Sequence, residues 1–197
     1  MLNGEKYLVI DNLVPKGFLE QIHMDLRARD HWAFAHGTLD DDIAEKYAEK
    51  YNDCPMLTLL LFSNEAGINN SLFSEARTIF NFLEDRTGYS FDALGRIKAN
   101  LTWPQPESML GVNPPHIDVP QDECLSMVFY VNDADGETVL YDKQVHEGED
   151  NLQEIARIEP KAGRALLFNS NRFHSSSPPV NTPYRIILNS VFIPKRV

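Results

Sequence analysis

Two residues separated by a single position, His116 and Asp118, carry side chains that can bind a metal ion. In an extended strand the side chains alternate between faces, so this imidazole and this carboxylate point to the same side. A second imidazole from a distant part of the chain completes a set of two histidines and one carboxylate, and His174 is the candidate. This set is typical of Fe(II) sites that leave coordination positions open for other ligands.

A His-x-Asp pattern taken alone has a second interpretation as a surface turn, because Asn113-Pro114-Pro115 precedes it and Pro120 follows it. The surrounding sequence favours the metal site, since strand-like runs bounded by turn-forming residues follow. These runs cover residues 124–131, 137–141, 164–169 and 184–193. His146 also follows the pattern, but it lies in a polar segment, which indicates a surface position.

Six landmarks in the second half of the chain occur in a fixed order, and together they are far more specific than any one of them. They are His116-x-Asp118, Phe129-Tyr-Val-Asn132, Gly136-Glu-Thr138, Pro160-x-x-Gly163-Arg-x-x-x-Phe168, His174-x-x-x-Pro178 and Arg185. In this order they resemble the Fe(II)- and 2-oxoglutarate-dependent dioxygenase superfamily, in particular its prolyl hydroxylase-like branch. The resemblance covers residues 96–194, and residues 7–15 are similar to the opening of those domains.

The resemblance implies roles for individual residues. The Fe(II) ligands and catalytic centre would be His116, Asp118 and His174, with 2-oxoglutarate and O₂ as co-substrates. Arg185 would bind the distal carboxylate of 2-oxoglutarate, which a planar guanidinium can contact through two parallel hydrogen bonds. The Tyr130 hydroxyl would reach the co-substrate, and Thr138 would lie near the metal and the co-substrate. The alternative for each of these three residues is a purely structural position in a strand.

One position departs from the branch, which often has a tyrosine contacting the co-substrate on the strand before the His-x-Asp pair. The nearest aromatic residue here is Trp103, which can fill the same space and offer one N–H donor. We therefore include Trp103 among the predicted co-substrate-binding residues. Residues 105–113 also differ in length from the branch, and both departures concern the substrate side of the pocket more than the iron.

The order of helical and strand patterns predicts the fold class. Apolar residues recur at near-helical spacing over residues 15–29 and 72–83, Gly88 stops the second run, and residues 43–51 also favour a helix. From Ile97 onward the chain has the pattern of strands and turns. This predicts a mainly β, α+β protein with helices packed against a largely antiparallel sheet, for which the resemblance implies a double-stranded β-helix (jelly-roll) core.

We expect a single domain over residues 1–197, made of a mostly helical N-terminal support at 1–95 and a catalytic core at 96–194. The net charge of −11 argues against binding to nucleic-acid phosphates, because such binding depends on lysine and arginine. Only Cys54 and Cys124 are present, and neither a secretory signal nor a membrane-spanning run is found, so we expect a cytoplasmic protein.

The predicted function is an oxygenase that hydroxylates an aliphatic carbon, with a prolyl residue as one candidate, in a protein, peptide or small molecule. Two alternatives use the same fold: an oxygenase that demethylates nucleobases, and a binding module without catalytic turnover. The sequence leaves the primary substrate, the type of oxidative outcome and the oligomeric state open.

Overall fold

The computed structural model describes residues 4–39, 47, 49–109 and 111–196. The α-helices with described bounds are α1 (Lys16–Arg27) and α2 (Phe73–Thr87), and short 3-10 helices lie at Glu107–Met109 and Val145–Glu147. The strands are β1 Tyr7–Ile10, β2 Ala33–Ala35, β3 Met56–Ser63, β4 Gly67–Ile68, β5 Tyr89–Thr102, β6 Leu125–Tyr130, β7 Thr138–Gln144, β8 Glu154–Ile158, β9 Ala165–Asn169, β10 Arg172–Ser176 and β11 Arg185–Arg196. The helix predicted over residues 43–51 lies largely outside the described residues. Neither α1 nor α2 has the length and apolar character that a membrane crossing requires.

The strands form two antiparallel sheets. The larger has the order β1-β9-β6-β11-β5-β3-β2, with β4 paired to β3, and the smaller has the order β10-β7-β8. Buried residues from both sheets pack in one cluster that includes Val128, Phe168 and Ile187 from the larger sheet and Leu140 from the smaller. Two packed antiparallel sheets of this kind confirm the predicted mainly β fold with flanking helices and a jelly-roll core.

Strand β6 shows how the chain fills both faces of the larger sheet. Its six residues are all buried. Because side chains alternate along a strand, Met127 and Phe129 pack with the helices, whereas Val128 and Tyr130 pack toward the smaller sheet. A strand covered on both faces needs a largely apolar run, which explains a sequence here whose one small polar residue is Ser126.

The two helices cover the outer face of the larger sheet. Helix α1 buries Ile22 and Leu26, and α2 buries a stripe at helical spacing that includes Ile79 and Phe80. Gly88 ends α2 in the left-handed conformation, with φ of 70°, and its N–H donates to the Glu84 carbonyl. This is the usual glycine stop of a helix, and the sequence predicted it.

The first 95 residues are less helical than predicted. Strands β1 and β3 belong to the same eight-stranded sheet as the later strands, with β1 paired to β9 and β3 paired to β5. The run Met56–Ser63 has neither helical nor alternating hydrophobicity, and its register shifts between Leu60 and Phe62. Such a run becomes a strand because of its pairing with β5, which local patterns do not reveal.

A close contact between two loops fixes the start of β11. A Cβ atom added to Gly136 would lie 2.6 Å from the carbonyl oxygen of Ser177, so only glycine fits between β6 and β7 here. Next to it, the Asp135 carboxylate accepts hydrogen bonds from the Asn181 N–H at 2.7 Å and the Thr182 hydroxyl at 2.8 Å. Although partial burial opposes it, these bonds hold the pKa of Asp135 well below its usual range. The fixed loop leads directly into Arg185.

Candidate active site

His116 and His174 lie directly opposite each other in neighbouring antiparallel segments. Each backbone N–H donates to the carbonyl of the other residue at 2.9 Å. Residues paired in this way point their side chains to the same face, and the two imidazole ring centroids are 4.4 Å apart. The structure therefore brings together the two histidines that the sequence separates by more than fifty positions.

Backbone carbonyls select the tautomer of both rings. The Nδ1 atom of His116 lies 3.3 Å from the Pro114 carbonyl, and that of His174 lies 3.1 Å from the Arg172 carbonyl. Since a carbonyl oxygen only accepts, each Nδ1 must carry a hydrogen, which leaves a lone pair on each Nε2. A histidine that donates from one ring nitrogen to a carbonyl and offers the other is the arrangement expected of a metal ligand.

Asp118 follows this paired segment in a bend rather than in the strand that the alternation argument assumed. Its N–H donates to the Ser170 carbonyl at 3.0 Å, which turns the chain and directs the carboxylate inward. Oδ2 of Asp118 lies 3.7 Å from Nε2 of His174. Two atoms bound to one metal at bonds near 2 Å would lie roughly 3 Å apart. Accordingly, no trio of His, Cys, Asp and Glu side chains in the described residues has the spacing of a preformed metal site.

The ionisation states suit metal binding. Burial, reinforced by the neighbouring His174, lowers the pKa of His116 to about 3, so this ring is neutral at pH 7. Burial opposes ionisation of Asp118, but His174, the Arg96 guanidinium and the Ser126 hydroxyl outweigh it and lower the pKa of this carboxyl to about 2. A metal ion requires such neutral imidazole and anionic carboxylate ligands, so no proton has to leave these two groups before it binds.

Arg185 lies in the same cavity and is almost completely buried, with 2% of its surface exposed. Its Nη2 donates to the Thr138 hydroxyl oxygen at 2.8 Å, and its guanidinium lies 5.6 Å from the centroid of the Tyr130 ring. Among the described residues, no carboxylate lies within ion-pair distance of it, and its Nε has no hydrogen-bond partner. Burial lowers the pKa of Arg185, yet a guanidinium stays protonated at neutral pH. A buried cation without an acidic partner is costly, which indicates an anionic ligand.

Thr138 has a free donor next to this guanidinium. The Tyr130 hydroxyl donates to the Thr138 oxygen at 2.8 Å, and Arg185 donates to the same oxygen at 2.8 Å. A hydroxyl oxygen has two lone pairs and one hydrogen, so the Thr138 hydrogen can be offered to a further acceptor in the cavity. Tyr130 is fully buried and does not line the cavity, so the contact predicted between its hydroxyl and the co-substrate is not supported by this geometry.

The cavity has a volume of about 50 Å³ and joins both groups of residues. The two histidines and Asp118 lie on one part of its wall, and Arg185 and Thr138 on another. Other lining residues are Thr38, Met56, Lys98, Asn100, Thr102, Val128, Ser175, Ser176, Ile187 and Asn189. Two further buried atoms in the wall, Oγ1 of Thr102 and Oδ1 of Asn100, lack hydrogen-bond partners. Buried polar atoms are normally satisfied, so the cavity is built for a polar ligand.

Trp103 does not line this cavity. Strand β5 ends at Thr102, and Trp103 follows it in a half-buried position outside the wall. Because alternate residues of β5 face inward, Thr102 and Asn100 occupy the place expected for Trp103. The sequence already indicated the orientation of Thr102 and Asn100, because polar residues alternate with apolar ones over Arg96-Ile-Lys-Ala-Asn-Leu-Thr102. A co-substrate role for Trp103 is a prediction that this geometry does not support.

Comparison with known proteins adds to this geometry. Residues 109–192 match the family model described as the 2OG-Fe(II) oxygenase superfamily. A comparison with curated protein sequences finds no match.

Solved structures with the same fold include a Pseudomonas putida prolyl-4-hydroxylase, at 14% identity and a TM-score of 0.59, covering 98% of this chain and 95% of that one. A Trichoplax adhaerens prolyl hydroxylase in complex with a peptide has 18% identity, a TM-score of 0.56 and coverages of 98% and 86%. A Burkholderia pseudomallei 2OG-Fe(II) oxygenase family oxidoreductase has 14% identity, a TM-score of 0.66 and coverages of 97% and 87%.

The matched residues contain every landmark from His116 to Arg185, and at these identities the solved structures show a shared fold. Both findings confirm the resemblance seen in the sequence. The predicted iron and co-substrates, Fe(II), 2-oxoglutarate and O₂, are those that the superfamily uses. Residues 109–192 are thus similar to the 2OG-Fe(II) oxygenase superfamily, and the chain has the fold of the prolyl hydroxylase-like branch of that superfamily.

Proposed function

We propose that this protein is an Fe(II)- and 2-oxoglutarate-dependent hydroxylase of an aliphatic carbon. His116, Asp118 and His174 would bind the iron, and Arg185 would bind the distal carboxylate of 2-oxoglutarate. The observation that carries the proposal is the shared cavity, in which a buried arginine without an acidic partner lies with two histidines and a carboxylate.

The donor set fits Fe(II). Two imidazole nitrogens with free lone pairs and one anionic oxygen form the facial arrangement that leaves positions open for a co-substrate and O₂. When bound, the iron supplies the oxidising chemistry that couples decarboxylation of 2-oxoglutarate to oxidation of the substrate. The side chains need a modest closure to form this set, because His174 Nε2 and Asp118 Oδ2 are 3.7 Å apart.

The part of the cavity wall that contains Arg185 fits a carboxylate. Three donor groups of residues that line the cavity have no hydrogen-bond acceptor among the described residues. They are the Arg185 Nε–H, the Thr138 hydroxyl and the Thr102 hydroxyl. A carboxylate that accepted these bonds would also compensate the buried guanidinium charge. A five-carbon dicarboxylate held there at one end would present its keto acid toward the histidines.

We infer the substrate class from the cavity and from the solved proteins that share this fold. Several are prolyl hydroxylases, and one was solved with a peptide fragment, whereas others come from nogalamycin biosynthesis. We therefore favour an aliphatic carbon of a peptide or small molecule, with a prolyl residue as the first candidate. The net charge of −11 argues against a nucleic-acid substrate.

The proposal is tested by screening proline-containing peptides, free amino acids and small hydrophobic molecules with Fe(II) and 2-oxoglutarate. We expect one substrate to gain the mass of a single oxygen atom and to increase succinate formation. Arg185→Ala serves as the matched negative control, because it removes the co-substrate anchor and leaves the predicted iron ligands in place. Loss of a methyl group from an oligonucleotide, without oxygen gain in any peptide or small molecule, would contradict the proposal.

A further inference from the structure

Asp118 is held in a closed group of hydrogen bonds with Arg96 and Asn189, and of these two partners only Asn189 lines the cavity. Arg96, on β5, donates from Nη2 to Asp118 Oδ1 at 2.9 Å and to Asn189 Oδ1 at 3.3 Å. Asn189, on β11, donates from Nδ2 to Asp118 Oδ1 at 3.3 Å and to Oδ2 at 3.4 Å. Each of the three side chains is therefore bonded to the other two.

The two carboxylate oxygens share Asn189 as a partner but otherwise have different partners. Oδ1 receives the charged hydrogen bond from Arg96, and charge-assisted bonds of this length are the strong ones. Oδ2 accepts from the Ser126 hydroxyl and faces Nε2 of His174 at 3.7 Å. Oδ2 is thus the oxygen that faces His174, while Oδ1 is engaged by Arg96.

The location of Arg96 indicates that it acts on Asp118 rather than on a ligand in the cavity. Arg96 is not among the residues that line the active-site cavity. It lines a separate surface groove instead, with Asn64, Glu65 and Gln121 among its neighbours, and 31% of its side chain is exposed there. Its guanidinium therefore reaches Asp118 from outside the set of residues that line the cavity.

We propose that Arg96, supported by Asn189, is a positioning residue that restricts Asp118 to a single metal-facing oxygen. A carboxylate can bind a metal through one oxygen or through both, and two-oxygen binding would use an additional position on the metal. By holding Oδ1, Arg96 keeps that position available for the chelating keto acid of 2-oxoglutarate. This inference rests on the proposed function, because it assumes that the cavity binds a metal and this co-substrate.

The test measures binding without turnover, with Mn(II) as the metal in place of Fe(II). Calorimetry gives the affinity for Mn(II), then the affinities of the Mn(II)-loaded protein for 2-oxoglutarate and for glutarate. Glutarate keeps both carboxylates but lacks the keto oxygen, so it cannot chelate in the same way. The variants are Arg96→Ala, Arg96→Met, which keeps the bulk if the alanine variant fails to fold, and Arg96→Lys, which restores a charged donor. Arg157→Ala is the control, because Arg157 also pairs with carboxylates but lies on the surface.

We expect Arg96→Ala and Arg96→Met to bind Mn(II) within about 10-fold of the wild-type affinity. Both should bind 2-oxoglutarate about 10- to 100-fold more weakly, the usual range for residues that orient a metal ligand. Glutarate affinity should change by less than about threefold, Arg96→Lys should recover most of the loss, and Arg157→Ala should match the wild type.

Unchanged 2-oxoglutarate affinity in the Ala and Met variants would overturn the inference while leaving the proposed function intact. An equal loss of glutarate affinity would also overturn it, because that result indicates a general structural role. Loss of Mn(II) binding in these variants would overturn it as well, since a carboxylate free to use both oxygens should keep the metal. A wild-type protein that binds neither Mn(II) nor 2-oxoglutarate would instead refute the proposed function on which the inference rests.

Discussion

Replacing Arg185 by alanine should strongly weaken co-substrate binding without disturbing the metal ligands. Arg185 is 2% exposed, donates to Thr138 at 2.8 Å and has no carboxylate partner among the described residues. Its charge is therefore uncompensated until an anion enters the cavity. Truncating one partner of a buried, hydrogen-bonded charge pair typically costs about 2–5 kcal/mol of binding free energy.

This range converts to a rise in Kd for 2-oxoglutarate of about 30- to 4,000-fold, since 1.4 kcal/mol corresponds to tenfold. The same loss can be measured through stability. A ligand at 100 times its Kd raises the free energy of unfolding by about 2.7 kcal/mol. At that concentration the variant, with a Kd at least 30-fold higher, should gain about 0.9 kcal/mol or less.

The assay is chemical denaturation of the Mn(II)-loaded protein with and without 2-oxoglutarate, alongside calorimetry for Mn(II) itself. Arg185→Lys is the matched variant, because it keeps the charge but loses the planar fork that contacts a carboxylate with two bonds. We expect 2-oxoglutarate to stabilise Arg185→Lys more than Arg185→Ala and less than the wild type. A variant Arg185→Ala that is stabilised by 2-oxoglutarate as strongly as the wild type would refute the role of Arg185 as the carboxylate anchor.

Two further predictions concern single side chains. Thr102→Val should raise the Kd for 2-oxoglutarate by roughly 2- to 12-fold, because one net hydrogen bond contributes about 0.5–1.5 kcal/mol. Trp103→Phe should leave this Kd unchanged. If calorimetry shows the larger effect for Trp103→Phe, the co-substrate role predicted for Trp103 would be restored. The lowered pKa of Asp135 means that its ionised form stabilises the folded state at pH values above the usual carboxyl pKa of 3.8, and that this contribution is lost as the pH falls below it. Asp135→Asn should therefore be less stable than wild type to urea at pH 6, with a smaller difference at pH 3; an equal difference at both pH values would contradict this.

The ordered landmarks in the sequence predicted several of the residues that line the cavity, but they did not include Asn100 and Thr102. His174 and Arg185 border runs that are otherwise apolar, so their positions indicated chemistry before any contact was known. Thr138, which shares its oxygen between two hydrogen bonds, lies where the resemblance implied. These positions depend mainly on local patterns, which a sequence records.

The features that were not predicted depend on tertiary pairing. Asp118 reaches the site through a bend fixed by the Ser170 carbonyl, and nothing in the local sequence specifies that bond. Thr102 faces inward because β5 pairs with β11 in a register that places Thr102 opposite Arg185. A one-residue change of that register would have turned Trp103 inward instead, so an aromatic residue close to the expected position was a poor guide.

The predicted secondary structure of residues 1–95 illustrates the same dependence on tertiary pairing. Residues 1–95 were predicted to be a mostly helical support, yet they contribute β1 and β3 to the larger sheet. Two of the residues that line the cavity, Thr38 and Met56, come from this part of the chain. Strand pairing between distant segments is decided by the whole fold, and single-segment hydrophobicity does not encode it.

The most direct test of the central claim is the formation of succinate from 2-oxoglutarate by wild-type protein, Asp118→Ala and His146→Ala, each with and without Fe(II). Asp118 lies in the proposed iron site, whereas His146 is in a surface turn outside the cavity. We predict Fe(II)-dependent succinate formation by the wild type and by His146→Ala, and none above background by Asp118→Ala. Wild-type activity in Asp118→Ala, or succinate formation that does not depend on Fe(II), would contradict the assignment of this cavity as the iron and co-substrate site.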